Sequence, residues 1–158
     1  AAVEIAKRSG IKKALAIPYH NLGKYYFEIK EYPKAANAFR KAVENLTHFP
    51  SERHSRTSII ADIQGHLYAA EYHAGDKTAL GRALKALENL INAKEISSYN
   101  KNAWLTGAHI RIAEMVAQDN PKLAREHVKQ AQEIINQDKR QVLRKKQLEK
   151  LNQALSQE

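Results

Sequence analysis

A chain of 158 residues is about one domain long and can bury a sizeable core. Its 43% hydrophobic and 27% charged residues are the balance of a folded protein and not of a disordered one. The net charge of +9 is spread unevenly, at +5 over residues 1–50, 0 over 51–100 and +4 over 101–158, which suits either a solvated basic surface or attraction to an acidic partner. No apolar run reaches the roughly 18 residues of a membrane-spanning helix. The first ten residues, AAVEIAKRSG, carry charge where a signal peptide needs its apolar stretch, and they lack an initiating Met, as a processed or excised piece of a longer protein would. Without Cys there are no disulfides and no thiolate ligands, which fits a cytoplasmic setting.

In chain order, Ala1 to Arg8 reads as the end of a helix closed by Ser9-Gly10, since Gly readily takes the left-handed cap conformation. A helix from about Ile11 to Ile29 carries Tyr19, Leu22, Gly23 and Tyr26 on one stripe, and Pro18 either starts or kinks it. The chain turns near Lys30 to Tyr32 and returns from Pro33, which suits a first helical turn, to Leu46. Small residues at Gly23, Ala35 and Ala42 let these two helices approach closely, while Tyr19, Tyr26 and Phe39 fill the space beside them. A loop over Thr47 to Glu52 holds Pro50. The next helix, from about His54 to His73, shows the stripe Ile59, Ile63, Leu67, Ala70 and Ala74. After a turn at Ala74-Gly75-Asp76 the chain returns from Lys77 to Ile91, with a loop from Asn92 to Ser98. A third pair runs from Tyr99 to Ala117, turns at Asp119-Asn120 and restarts at Pro121; a last helix, Lys139 to Leu155, has Leu148, Leu151 and Leu155 on one face.

The chain repeats itself. AVEIA from Ala2, AVENL from Ala42, ALENL from Ala86 and AQEII from Ala131 lie 40, 44 and 45 residues apart, each with a small residue expected inward and an acid outward. Upstream, Ala35, Phe39 and Ala42 match Ala79, Ala83 and Ala86, then Ala124, Val128 and Ala131. The order aromatic, Leu, Gly, Tyr, Ala, Phe, Ala over Tyr19 to Ala42 resembles the tetratricopeptide repeat. The usual Pro near the repeat end is Thr47 here, with Pro50 three residues later. The period exceeds the roughly 34 residues of the family and is similar to the longer repeats of kinesin light chains and of bacterial peptide-sensing and transcription regulators. The resemblance implies a single all-α domain over residues 1–158, a right-handed superhelical α-solenoid of antiparallel helix pairs. Its parts would be the end of a truncated preceding repeat (1–10), three repeats (11–49, 50–95 and 96–137) and a C-terminal capping helix (138–158).

Signatures of chemistry are missing. The chain has no phosphate-binding Gly-rich loop, no GxSxG and no HExxH, so it is expected not to be an enzyme and to need no cofactor. Seven His invite a metal reading, but His66 and His73 stand about 10 Å apart along one helix by rise alone, and no metal is expected. Pairs such as Glu28 and Glu31 read as solvated.

The resemblance places a ligand groove on the first helix of each repeat. It implies that Ile17, His20, Asn21, Lys24 and Phe27 face that groove from repeat one, Ala61, Gln64, Gly65, Tyr68 and Tyr72 from repeat two, and Gly107, Ile110, Arg111 and Glu114 from repeat three. Asn21 resembles a clamp for a bound peptide backbone, because one carboxamide both donates and accepts. Members that hold a terminal carboxylate use five groove positions, occupied here by His20, Lys24, Gly65, Gly107 and Arg111, of which only Arg111 matches. Arg111, Lys24 and His20 would still favour an acidic or carboxylate-terminated segment, with Tyr68 and Tyr72 as flat apolar contacts. The expected function is non-catalytic binding of a protein or peptide, as a module of a larger protein. Its alternatives are the peptide-sensing domain of a bacterial transcription regulator and a basic nucleic-acid-associated module. For the last, the cluster Lys139, Arg140, Arg144, Lys145 and Lys146 could meet phosphates or an acidic partner, but it lacks interleaved aromatics. Val3 and Ile5 leave an apolar edge that could pair with a second copy.

Overall fold

The computed structural model describes residues 2–10, 15–48, 57–94 and 96–157. Among them eight helices follow one another without a strand: α1 (Ala2–Arg8), α2 (Ala16–Glu28), α3 (Tyr32–His48), α4 (Thr57–His73), α5 (Ala79–Asn92), α6 (Ser98–Val116), α7 (Pro121–Gln137) and α8 (Val142–Leu155). Short connections fold α2 back on α3, α4 on α5 and α6 on α7. Neighbouring pairs meet through α3 with α4, α5 with α6 and α4 with α6, while α1 packs on α2 and α8 on α6 and α7. No helix among the described residues is long and apolar enough to cross a membrane. The expected helix starts at Ile11 and His54, and Pro50 with the loop around it, lie outside the described residues.

Local chemistry sets the boundaries. Pro18 is the third residue of α2, so it starts that helix and does not kink it; its missing N–H falls where no intrahelical acceptor exists. Asn120 accepts a hydrogen bond from the Leu123 N–H at 3.1 Å and Pro121 follows it, which opens α7 where the sequence indicated. Ser97 does the same for α6 with the Asn100 N–H. The α2–α3 turn has Lys30 at φ 60°, with Lys30 donating to Phe27 O and Glu31 to Tyr26 O. The α4–α5 turn repeats this pattern with Gly75 at φ 116°, whose N–H donates to Tyr72 O while Asp76 donates to Glu71 O. At one equivalent turn position stands the residue the geometry favours, and at the other a Lys that tolerates it. Thr47 and His48, expected in a loop, extend α3 instead, with the Thr47 hydroxyl donating to Val43 O.

The small-residue register holds. Ala35, Phe39, Ala42, Ala79, Ala83, Ala86, Ala124 and Ala131 are all buried and Val128 packs against the core, while Glu44, Glu88 and Glu133 face out. The first member of the series departs from it, since α1 buries no residue, Ala2 is exposed and Ile5 is 68% exposed. In α4 the stripe buries Ile63, Leu67 and Ala70, but Ile59 is half-buried and Ala74 lies exposed in the turn. Gly23 has a specific reason: a Cβ there would stand 2.6 Å from two carbons of the fully buried Phe39 ring. Leu148 and Leu151 of α8 join the core beside Ile112, Ile135 and Val116, and Leu155 packs at its edge.

Gly23→Ala is therefore expected to lose roughly 1–3 kcal/mol through overpacking, and Phe39→Leu in the same chain to recover part of that loss. Gly81→Ala, at a helical position with nothing within 4 Å, is expected to gain roughly 0.5–1 kcal/mol from helix propensity. Urea midpoints of the three variants check this; equal effects at Gly23 and Gly81 would contradict the close approach. Lys30→Gly is expected to raise stability by about 0.5–1 kcal/mol, since it removes left-handed strain, and a lower urea midpoint would show that the turn does not need it.

Candidate functional site

The first helix of each pair contributes to one polar face. His20 comes from α2, Asp62, Gly65 and His66 from α4, and Gly107 and Arg111 from α6, joined by Arg144 from α8. Two glycines act as notches on it. A Cβ at Gly65 would lie 3.3 Å from an Arg111 guanidinium nitrogen, and one at Gly107 would lie 2.7 Å from an Arg144 nitrogen, so each glycine seats an arginine from a later helix. Arg111 donates to His66 Nε2 at 3.2 Å and to Asp62 Oδ1 at 3.4 Å, and its Nε is buried with no partner. Arg144 donates through Nε to Ala103 O at 2.9 Å and through a terminal nitrogen to Gln147 Oε1 at 2.8 Å.

An aromatic stack underlies this face. The His66 ring stacks on Phe39 at 5.4 Å between centroids, and His20 meets His66 edge-on at 5.1 Å. Asp62 and His66, four apart on α4, bring Oδ2 and Nε2 to 3.8 Å. His20 Nε2 is buried without a partner. Burial holds His20 down to about 4, with Lys24 and Arg111 acting in the same direction and Asp62 against them. Burial, then Arg111, His20 and Lys24, hold His66 well below its usual value. Both imidazoles are neutral at physiological pH, so the charges of the face are Lys24, Arg111 and Arg144 with the Asp62 carboxylate. Glu114 of α6 is a second carboxyl near Arg111: burial pushes its pKa up, and Arg111 and Lys150 pull it down.

The structure sorts the residues singled out by sequence. Lys24 and Arg111 both act electrostatically on His20, with Ile17, 39% exposed, a turn before His20 on α2 and Gln64 half-buried beside Gly65. Asn21 does not join them: it lines a depression shared by α1, α2 and α3, with Val3, Tyr19, Leu22, Tyr26 and Lys41 around it. One residue along a helix is a rotation of about 100°, enough to turn Asn21 from the face that His20 occupies. Tyr72 is a correction. It is 4% exposed, and its hydroxyl donates to Asp119 Oδ2 at 2.5 Å while Lys77 sits 4.1 Å above its ring, so it ties the α4–α5 turn to the α6–α7 turn. Tyr68 packs against the core beneath Arg82, whose guanidinium lies 5.4 Å over its ring, and so covers the neighbouring helix. Ala61 and Ile110 are likewise core residues.

The five basic residues of the C-terminal segment do not form one patch. Arg140 grips Asp138 with two bonds of 2.7 and 2.9 Å and lies over Tyr99. The same carboxylate accepts from Asn102 and Gln141, which fastens the α7–α8 turn to α6 and holds Asp138 far below the usual carboxylate range. Arg144 is drawn into the polar face, Lys145 pairs with Glu149 at 4.0 Å, and Lys139 and Lys146 stand exposed. The grouping of His20, Asp62 and His66 escaped sequence reading because His20 stands 42 residues from Asp62. The available signal was the Asp-x-x-x-His spacing on α4, which puts two ligand-type side chains on one helix face. No family model, curated protein or solved structure matches this chain.

A second buried pair, His109 and His127, joins α6 to α7 through Nδ1 atoms 2.8 Å apart, so one ring donates and the other accepts. Burial, and secondarily His127, hold His109 down to about 4, and burial lowers His127 against the pull of Glu126. The unfolded chain then binds more protons than the folded one between about pH 6.5 and 4, so stability falls as pH falls through that window. His109 alone is expected to cost roughly 2 kcal/mol at pH 5 relative to pH 7.5. Urea midpoints at the two pH values should drop for the wild type and drop less for His109→Gln; equal drops would dismiss the pair as the source.

Proposed function

We propose that the chain is a non-catalytic binding module of the tetratricopeptide kind, a right-handed superhelical solenoid whose first helices hold an acidic or carboxylate-terminated peptide. The observation that carries this reading is the convergence of Lys24, Arg111 and Arg144, from three helices, on a face where the Arg111 guanidinium bonds Asp62 and keeps a buried Nε without a partner. Guanidinium bonds of 3.2 and 3.4 Å are longer than the roughly 2.7–2.9 Å of a tight charge-assisted pair, which leaves donor capacity for an incoming carboxylate. The repeated small-residue register and the helix pairs support the solenoid, and the lack of Cys suits a cytoplasmic setting. In this reading Tyr68 and Tyr72 serve packing, and the ligand meets Ile17, Lys24 and Arg111 first.

Fluorescence anisotropy with an acidic peptide pool, each member with a free or an amidated C-terminus, tests this. Removing one charged donor, by Lys24→Gln or Arg111→Gln, is expected to weaken the best binder by roughly 10- to 100-fold, with Lys24, an exposed residue, as the variant whose folding is secure. Unchanged affinity in Lys24→Gln and Arg111→Gln alike, or a preference for basic peptides, would overturn the assignment.

A further inference from the structure

We propose that His20, Asp62 and His66 form a binding site for one divalent transition-metal ion of the zinc, cobalt or nickel class. One ligand atom from each of these residues lies within 4.8 Å of the other two. The Asp62 Oδ2 to His66 Nε2 separation of 3.8 Å is close to the roughly 3.4 Å between tetrahedral ligands bound at about 2.1 Å. Moving His20 inward by up to about 1.4 Å closes the set, a motion within the reach of side-chain torsions.

Three independent features point to a cation here. His20 Nε2 is a buried nitrogen with no hydrogen-bond partner, which is costly unless it has something to coordinate. His66 Nε2 carries a lone pair, since it accepts from Arg111, and that lone pair becomes available when Arg111 moves aside. Two imidazoles and one carboxylate are the donor set of zinc-class sites that keep a position open, and Phe39 supplies an apolar floor in contact with both rings.

Arg111 opposes the ion. Its guanidinium bonds both His66 and Asp62, so it must swing aside on binding, and its charge lowers the affinity of the site. That conflict makes the inference separable from the peptide reading, on which it does not rest: removing Arg111 should weaken peptide binding but tighten metal binding.

The test uses the full chain after dialysis against a chelator. Co2+ and Zn2+ are titrated by visible absorption and calorimetry, and thermal unfolding is recorded with and without metal. One equivalent is expected to bind, with the d–d absorption of a low-coordinate Co2+ site and a rise in Tm. His20→Gln should weaken binding at least about tenfold, with its metal-free Tm compared with wild type to separate lost ligation from lost packing on Phe39, while His48→Gln, at an exposed position of α3, should change nothing. Arg111→Met should bind more tightly than wild type. Absence of saturable binding at about 100 μM metal, or affinity unchanged by His20→Gln, would overturn the site; weaker binding by Arg111→Met would overturn the assigned coordination at His66.

Discussion

The rest of the structure depends on how one ring, Phe39, is housed. It is fully buried, lies against the bare backbone of Gly23, and touches His20 and His66. Because nothing larger than hydrogen fits between that backbone and the ring, α2 and α3 settle at a close separation. The other side of the ring then serves as the platform on which α4 rests through His66. Two imidazoles thus come within 5.1 Å of each other by aromatic packing and not by mutual attraction, and the desolvation that follows keeps both uncharged.

From that platform outward, the face is organised by absent side chains as much as by present ones. Gly65 and Gly107 leave room for guanidinium groups that reach across from α6 and α8. Burial and the nearby Arg111 pull Arg144 down from its ordinary value, yet a guanidinium keeps its charge, so the face stays electropositive where the imidazoles do not contribute. Asp62 is the carboxylate that bonds Arg111, which gives it two duties: partner of Arg111, or, in the proposed metal site, ligand beside His20 and His66. These duties exclude one another at Arg111, and a face with two exclusive arrangements can respond to what binds it.

Elsewhere, polar groups serve architecture. Glu71 accepts from Arg40 of α3 and Arg82 of α5, both at 3.0 Å, while Asp119 joins Tyr72 and Lys77 across the turns. Asp138 collects donors from α6 and from its own turn, which fixes where α8 leaves α7 and so where Arg144 points. A basic cluster read along the chain as one patch is thereby divided among a turn, a face and an exposed helix surface.

What the amino-acid sequence by itself determined was much of what near neighbours govern: the order of the helices, the turn at Gly75, the start at Pro121, the inward Ala35, Phe39 and Ala42 register and its two later copies, though not the end of α3 at His48 or the start of α8 at Val142. Those follow from period, capping and backbone preference, which act over a few residues. Only the tertiary structure decided that Asn21 turns toward α1, that Tyr72 is consumed by Asp119, that Arg144 fills a notch at Gly107, and that His20 meets Asp62 and His66. Each of these depends on the angle and offset at which separate helices pack, and those come from the summed fit of many buried side chains that no local pattern encodes.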